Sequence, residues 1–368
     1  LRVDALDKQI YITAKDKDRV RMYSLNPSNG KIKQLQAKED VISDYSIANQ
    51  AFEMVYFGLS ASNSQRLYTY NLKNDASSCL IDLSKEILKD VTLGEVQDWN
   101  FVSAQGDTIY GRFYLPPHFD ATKKYPMIVN YYGGTTPTAR VMESRYPSHI
   151  YAGLGYIVYI IQPSGATGFG QEFSARMSTH GVNLPLTRSS KARKSSVRSI
   201  LLSTRRNRLH GASYGGFMTQ YLQTKTDIFA AAMSHAGISD ITSYWEKVTG
   251  DIHTARWLAL TVIHGMPGIC TLYKVQLFNA DKINTPILFL HGTADTNVPI
   301  GESIQMFTAL KLLGKPTAFV QVEGENHHIL DYDKRILWNN TIYAWFAKWL
   351  KDQPEWWDAL YPPKAYRS

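Results

Sequence analysis

From about Asp98 onward, short apolar strands alternate with stretches of helical period, and that alternation leaves few folds open. Met127-Ile128-Val129 follows Tyr125-Pro126, and Tyr156 to Ile161 comes next. Thr285-Pro286 opens Ile287 to Leu290, and Ala318 to Val322 follows. Gly301 to Leu313 and Arg335 to Leu350 carry apolar residues at helical spacing. Strands alternating with helices predict an α/β domain, a mostly parallel sheet with helices on both faces. Apolar runs without polar alternation fit burial on both sides. Such sheets bind ligands at the carboxyl ends of their strands. The longest apolar run, around Gly153 to Ile161, is too short to cross a bilayer and reads as a buried strand, so no transmembrane segment is expected.

The first ninety or so residues have a different texture. Gln9 to Ala14, Val20 to Leu25, Met54 to Leu59 and Arg66 to Asn71 are short runs rich in Tyr, Ile and Val. Asn26-Pro27-Ser28-Asn29-Gly30 is a turn cluster. Tyr11 and Tyr23 recur as Tyr56 and Tyr68, each 45 residues on. A period of that size suits four-stranded propeller blades. The expected organisation is therefore 1–95 as the last blades of a β-propeller and 96–368 as the α/β domain. A small meander packed on the next domain is the alternative.

Gly211-Ala212-Ser213-Tyr214-Gly215 matches G-x-S-x-G. Small residues there permit a sharp strand-to-helix turn that exposes a serine hydroxyl above a sheet. The helix is expected to begin near Gly216, aiming its amino end at developing negative charge. A serine hydroxyl needs a base, and the base needs an orienting acid. His291-Gly292-Thr293-Ala294-Asp295 follows one predicted strand, and Glu323-Gly324-Glu325-Asn326-His327 follows the next. The order Ser213, Asp295, His327 is that of α/β-hydrolases, and gaps of 82 and 32 residues leave room for intervening elements. His327 is the expected general base, with His328 as the alternative. The Tyr214 N–H is the expected first oxyanion donor. Tyr132, after strand Met127 to Asn130, is expected to supply the second through its hydroxyl, unless it is an ordinary core tyrosine. His291 reads as a brace for its loop and His235 as packing.

Other chemistries lack a pattern. No His/Cys/Asp/Glu set has zinc-ligand spacing, no phosphate-cradling loop occurs, and Gly165 to Gly170 is not a dinucleotide fingerprint. No cofactor and no metal are expected. The net charge of +8 invites a nucleic-acid reading. It comes from one stretch, Met177 to Leu209, with eight basic residues and no acidic ones, whose removal brings the total to zero. No general basic surface follows, and nucleic-acid partners are not expected. Cys79 and Cys270 imply no disulfide framework. The chain opens on Leu1 without a signal-peptide pattern and is read as a mature product or a fragment. Compartment and oligomeric state stay open: periplasmic, secreted and cytoplasmic placements all fit, and so does a homodimer.

Taken together, Tyr132-Gly133-Gly134, Gly211 to Gly216, His291 to Val298 and Glu325-Asn326-His327 resemble the prolyl oligopeptidase family. The resemblance runs from about Val96 to Tyr361. It implies an α/β-hydrolase domain preceded by a β-propeller and a serine peptidase acting on short peptides, often after proline or alanine. It places Tyr132 at the oxyanion tyrosine and Asn297 and Val298 at the wall of the pocket for the residue before the cut. The chain departs from the family in lacking most of the propeller and in carrying His328 where a glycine is usual. Two internal stretches, 177–210 and 246–275, also fail to match between sharp matches. Codons chosen for Met177 to Asn183, read from their third base, give Val-Asn-Thr-Trp-Gly-Lys. Those for Ser199 to Arg206 give His-Pro-Phe-Val-Asp-Lys-Lys, and those for Glu246 to Ile252 give Glu-Gly-Tyr-Trp-Gly-Tyr. All three are family-like, so both stretches are expected to be frame-shifted; a divergent basic insertion is the alternative. Arginines ahead of Ser213 would then sit where an apolar strand belongs, and Ser213 is expected to be poorly placed. An acyl hydrolase acting on esters, or an inactive product, remains open beside the peptidase reading.

Overall fold

The computed structural model describes residues 2–3, 6–102, 106, 108–132, 134–162, 165–179, 207–240, 243–244 and 276–362. The anomalous stretches fall largely outside them, since 180–206 and 246–275 are not described.

Alternating tyrosine-rich strands build the amino-terminal sheet. They are β1 (Arg2–Val3), β2 (Ile10–Asp16), β3 (Arg19–Leu25), β4 (Ile32–Gln34), β5 (Val41–Ile47), β6 (Glu53–Ser60), β7 (Asn63–Asn71) and β8 (Ala76–Asp82). β1 to β4 and β5 to β8 are two antiparallel four-stranded meanders, joined by one parallel pair, Val20↔Val41. The turn cluster closes β3 onto β4: Gly30 has φ 72°, and the Asn26 side chain accepts from the Ser28 N–H at 2.9 Å. Alternation buries one face, where Tyr11, Met22, Tyr45, Met54, Tyr56, Tyr68 and Tyr70 form a core. The echo holds for Tyr11 and Tyr56, both buried, but not in register: Tyr56 pairs with Tyr68, whereas Tyr11 pairs with Ser24.

The second sheet follows as β9 (Val96–Asp98), β10 (Phe101–Val102), β11 (Thr108–Tyr114), β12 (Met127–Asn130), β13 (Ile157–Gln162), β14 (Asn207–Ala212), β15 (Phe229–His235), β16 (Ile287–Gly292) and β17 (Thr317–Val322). Its order is β10-β11-β13-β12-β14-β15-β16-β17, with β9 on β11, and every pairing from β13 to β17 is parallel. β12, β15 and β16 are buried almost throughout, as the unbroken apolar runs of β12 and β16 predict. Helices α1 (Ser148–Gly153), α5 (Tyr332–Lys351) and α6 (Glu355–Leu360) cover one face through Tyr151, Trp338, Ile342 and Trp357. Helices α2 (Gln171–Thr179), α3 (Tyr214–Gln223) and α4 (Gly301–Leu312) cover the other through Phe173, Phe217 and Met306. This is the α/β-hydrolase arrangement expected. β14 forms despite the basic sequence ahead of it: Asn207 to His210 pair with β12, Asn207 to Ala212 pair with β15, and Leu209 is fully buried.

A buried ionic knot joins the two sheets. Asp18, in the turn from β2 to β3, sits 2.8 Å from the Arg112 guanidinium and 3.0 Å from that of Arg140. The Lys17 N–H donates to the Gly168 carbonyl at 2.9 Å beside it. Removing one partner of a buried pair leaves the other charged and desolvated. Asp18→Ala is therefore expected to lower unfolding free energy by about 3–5 kcal/mol in urea titration. A loss under about 1 kcal/mol, the range of surface pairs, would show that the knot is solvated.

Candidate active site

The turn after β14 is built by steric exclusion. A Cβ on Gly211 would lie 2.6 Å from the Gly215 backbone, and one on Gly215 would lie 2.9 Å from the carbonyls of Tyr131 and Tyr132. Only glycine fits either place, which explains the G-x-S-x-G spacing. Ser213 between them adopts φ 57°, ψ −120°, a conformation that costs a residue with a side chain roughly 1–3 kcal/mol. Its N–H donates to the His235 carbonyl at 2.8 Å, fixing the strained residue to the end of β15. α3 starts at Tyr214, two residues before the sequence suggested, so the Tyr214 N–H lies in its first turn. The Ser213 side chain does not cap that helix. Its Oγ makes no hydrogen bond to a described residue, His327 included.

Asp295 and His327 are brought together from the ends of β16 and β17. His327 Nδ1 donates to Asp295 Oδ2 at 2.8 Å, and both residues are buried. A carboxylate only accepts, so Nδ1 carries a proton, and the tautomer this bond selects has its lone pair on Nε2. Asp295 Oδ1 accepts from the N–H groups of Asn297 (2.8 Å) and Val298 (2.9 Å). Burial alone would raise the Asp295 pKa, but hydrogen bonds from His291, His327 and the Val298 N–H hold it well below the usual carboxylate range. His291 braces this loop: Nε2 donates to the Val298 carbonyl at 2.7 Å, and Nδ1 accepts from the Ser303 hydroxyl at 2.8 Å. Asn326 ties the two loops, its Oδ1 accepting from the N–H groups of Thr296 (3.0 Å) and His327 (2.7 Å).

Ser213 and His327 meet at His235. Ser213 binds its backbone, and its ring centroid lies 6.4 Å from that of His327. His235 is fully buried, and its Nδ1 faces the Tyr146 hydroxyl at 3.1 Å and Arg145 Nη1 at 3.4 Å. Burial first, then the Arg145 charge, drives its pKa far below the usual imidazole value, so the ring is neutral. His328 is exposed and turns its Nδ1 to Arg145 Nη2. Partial burial and then Arg145 lower its pKa as well.

Tyr132 follows β12 and is 37% exposed, which sets aside the core-tyrosine reading. Its carbonyl stands 2.9 Å from where a Cβ on Gly215 would lie, beside the Ser213 turn. Asn297 is exposed, whereas Val298 is 2% exposed. Both contribute backbone N–H groups to Asp295, a role the sequence reading did not assign them. Sequence reasoning also missed Arg145, whose position depends on a loop without periodicity. Among the described residues no group of three or more His, Cys, Asp or Glu is placed to hold a metal, and no helix is long and apolar enough to cross a membrane. A cavity of about 540 Å³, lined by Trp99, Phe119, Tyr125, Met127 and Ile157 among others, opens at the amino ends of β12 and β13. Sites in such sheets form at the carboxyl ends, where the residues above converge, so this cavity is not the candidate site.

The comparisons agree with this fold. Residues 143–353, more than half of the chain, match the model of the prolyl oligopeptidase family. Dipeptidyl-peptidase 5 of Porphyromonas gingivalis is 28% identical over 356 residues, covering 94% of this chain and 51% of the relative. The acylaminoacyl peptidase of Pyrococcus horikoshii superposes with a TM-score of 0.79 at 20% identity, covering 94% of this chain and 55% of that one. Dipeptidyl peptidase 4 of Porphyromonas gingivalis superposes with a TM-score of 0.76, also at 20% identity, over 95% of this chain and 49% of that one. At such identity the structural likeness speaks for the fold. The chain spans about half the length of the curated relatives it matches. With its α/β-hydrolase sheet, its glycine-flanked serine turn and the matching model, the chain belongs to the prolyl oligopeptidase family.

Proposed function

We propose that this chain is the catalytic part of a serine peptidase of dipeptidyl-peptidase type, cleaving short peptides through an acyl-enzyme. Ser213 is the nucleophile, His327 the general base and Asp295 the acid that orients it. The observation that carries this reading is the Asp295–His327 pair, whose bond leaves the Nε2 lone pair available, beside the strained Ser213 turn. In the reaction His327 Nε2 takes the Ser213 proton as Oγ attacks the scissile carbonyl. The same proton passes to the leaving amine, and water then repeats the cycle on the ester. Catalytic hydrogen bonds are often long before substrate binds, so the Ser213–His327 bond belongs to the substrate complex. The Tyr214 N–H and the Tyr132 hydroxyl stabilise the oxyanion. Asn297 and Val298 border the pocket for the residue before the cut.

The two meanders are read as the last blades of a β-propeller, 1–95, ahead of the catalytic domain, 96–368. Two four-stranded units of similar length support this. The stretches 177–210 and 246–275 are read as frame-shifted; resequencing the gene tests this, and clean reads preserving the present frame would end it.

A fluorophosphonate probe is expected to label the wild-type chain and not Ser213→Ala. Equal labelling of both would move the nucleophile elsewhere, and no labelling of either would mark an inactive product. Aminoacyl-proline and p-nitrophenyl ester substrates then separate the leaving groups: ester turnover without amide turnover would make this an acyl hydrolase.

A further inference from the structure

Arg145, at the edge of the candidate site, is a cation with no carboxylate partner among the described residues. Among the described residues Arg19, Arg66, Arg112 and Arg140 each pair with Asp or Glu, whereas Arg21 and Arg335, like Arg145, do not. Arg145 is half-buried, and no carboxylate of a described residue lies within ion-pairing distance of it. Its described side-chain partners are instead two imidazoles, the Nδ1 atoms of His328 and His235. Arginine has five N–H donors in a planar fork and no acceptor, so both imidazoles accept and further N–H groups remain for a ligand. That fork matches a carboxylate through two parallel bonds.

We propose that Arg145 binds the carboxylate that ends a short leaving group, so that the preferred substrates are free peptides with one or two residues after the cut. The argument rests on the assignment of His327 as base. The leaving amine takes its proton from His327 Nε2, so the part of the substrate beyond the cut lies on the histidine side of the site. Arg145 is held there by the neighbour of His327 in sequence and by His235, whose ring centroid is 6.4 Å from that of His327. An extended chain advances roughly 3.3 Å per residue, so a leaving group of one or two residues ends about 3–7 Å beyond the cut. A longer peptide would place a neutral amide against the guanidinium and forgo the charge-assisted bonds.

The test is titration calorimetry with trialanine and trialaninamide on the full Ser213→Ala chain, which binds without turnover. The free acid is expected to bind about tenfold more tightly than the amide, the difference of a charge-assisted bond. Arg145→Met should abolish that difference and Arg145→Lys should restore part of it, which separates loss of charge from misfolding. The proposal is overturned if acid and amide bind alike, if acid binding is undetectable, or if the preference survives Arg145→Met. Equal weakening of both ligands by Arg145→Met also overturns it, placing the guanidinium on a peptide carbonyl. Failure of the catalytic reading looks different: no Ser213-dependent labelling in the wild-type chain, whatever the acid preference.

Discussion

Replacing His327 with alanine is expected to lower kcat/KM on a peptide substrate by on the order of 10⁴–10⁶-fold, the range seen when a base of this kind is removed. His328→Ala is expected to stay within about tenfold, the worth of one hydrogen bond, because His328 only helps to hold Arg145. The two histidines are neighbours in sequence, and the fold sends them to different partners. His327 Nδ1 meets the buried carboxylate of Asp295 at 2.8 Å, whereas His328 is exposed and accepts from Arg145. Only the first arrangement fixes the tautomer with a lone pair at Nε2. Steady-state kinetics on both variants decides the matter, and a larger loss from His328→Ala than from His327→Ala would reassign the base.

Asp295→Asn is expected to cost about 10⁴-fold in kcat while leaving the fold intact. The reason lies in the division of labour between its two oxygens. Oδ1 accepts two backbone N–H groups and Oδ2 accepts from imidazoles. An asparagine keeps the backbone bonds by placing its carbonyl at the Oδ1 position. Its NH₂ then faces His327 Nδ1, which must become an acceptor, and the ring proton moves to Nε2. A ring protonated at Nε2 cannot take the Ser213 proton. The same carboxylate makes an acid-sensitive contribution to stability. Its folded pKa is depressed below the unfolded value of roughly 3.9, so its stabilisation is full above that value and is lost as pH falls through the folded pKa. Melting temperatures between pH 5 and pH 2 should therefore fall less steeply in Asp295→Asn than in wild type. An unchanged kcat would remove Asp295 from the mechanism.

Several parts of this molecule were legible in one dimension because they depend on local rules. Unbroken apolar runs marked β12, β13 and β16, since strands buried on both faces have no polar alternation. The turn cluster at Asn26 to Gly30 marked the chain reversal after β3. Gly211 and Gly215 marked the serine turn, where the backbone approaches too closely for any Cβ. Weakly patterned strands were not legible: β4, three exposed residues, and β8, mostly exposed, carry no burial signal. The 45-residue echo found two similar meanders but not their registers, which cross-strand packing sets.

The sequence by itself determined the alternation that makes the parallel sheet, the glycine-flanked serine and the order in which serine, aspartate and histidine arrive. These follow from steric limits and burial patterns within a few residues of chain. Only the tertiary structure decided which of two adjacent histidines meets Asp295, that Asn297 and Val298 serve it with backbone N–H groups, and that Arg145 stands beside the site. The first and last of these join residues 32 and 183 positions apart, and the packing of whole elements selects such partners. Asp18 and Arg112, 94 residues apart, are a further case: two ordinary charges become a buried knot because two sheets close over them.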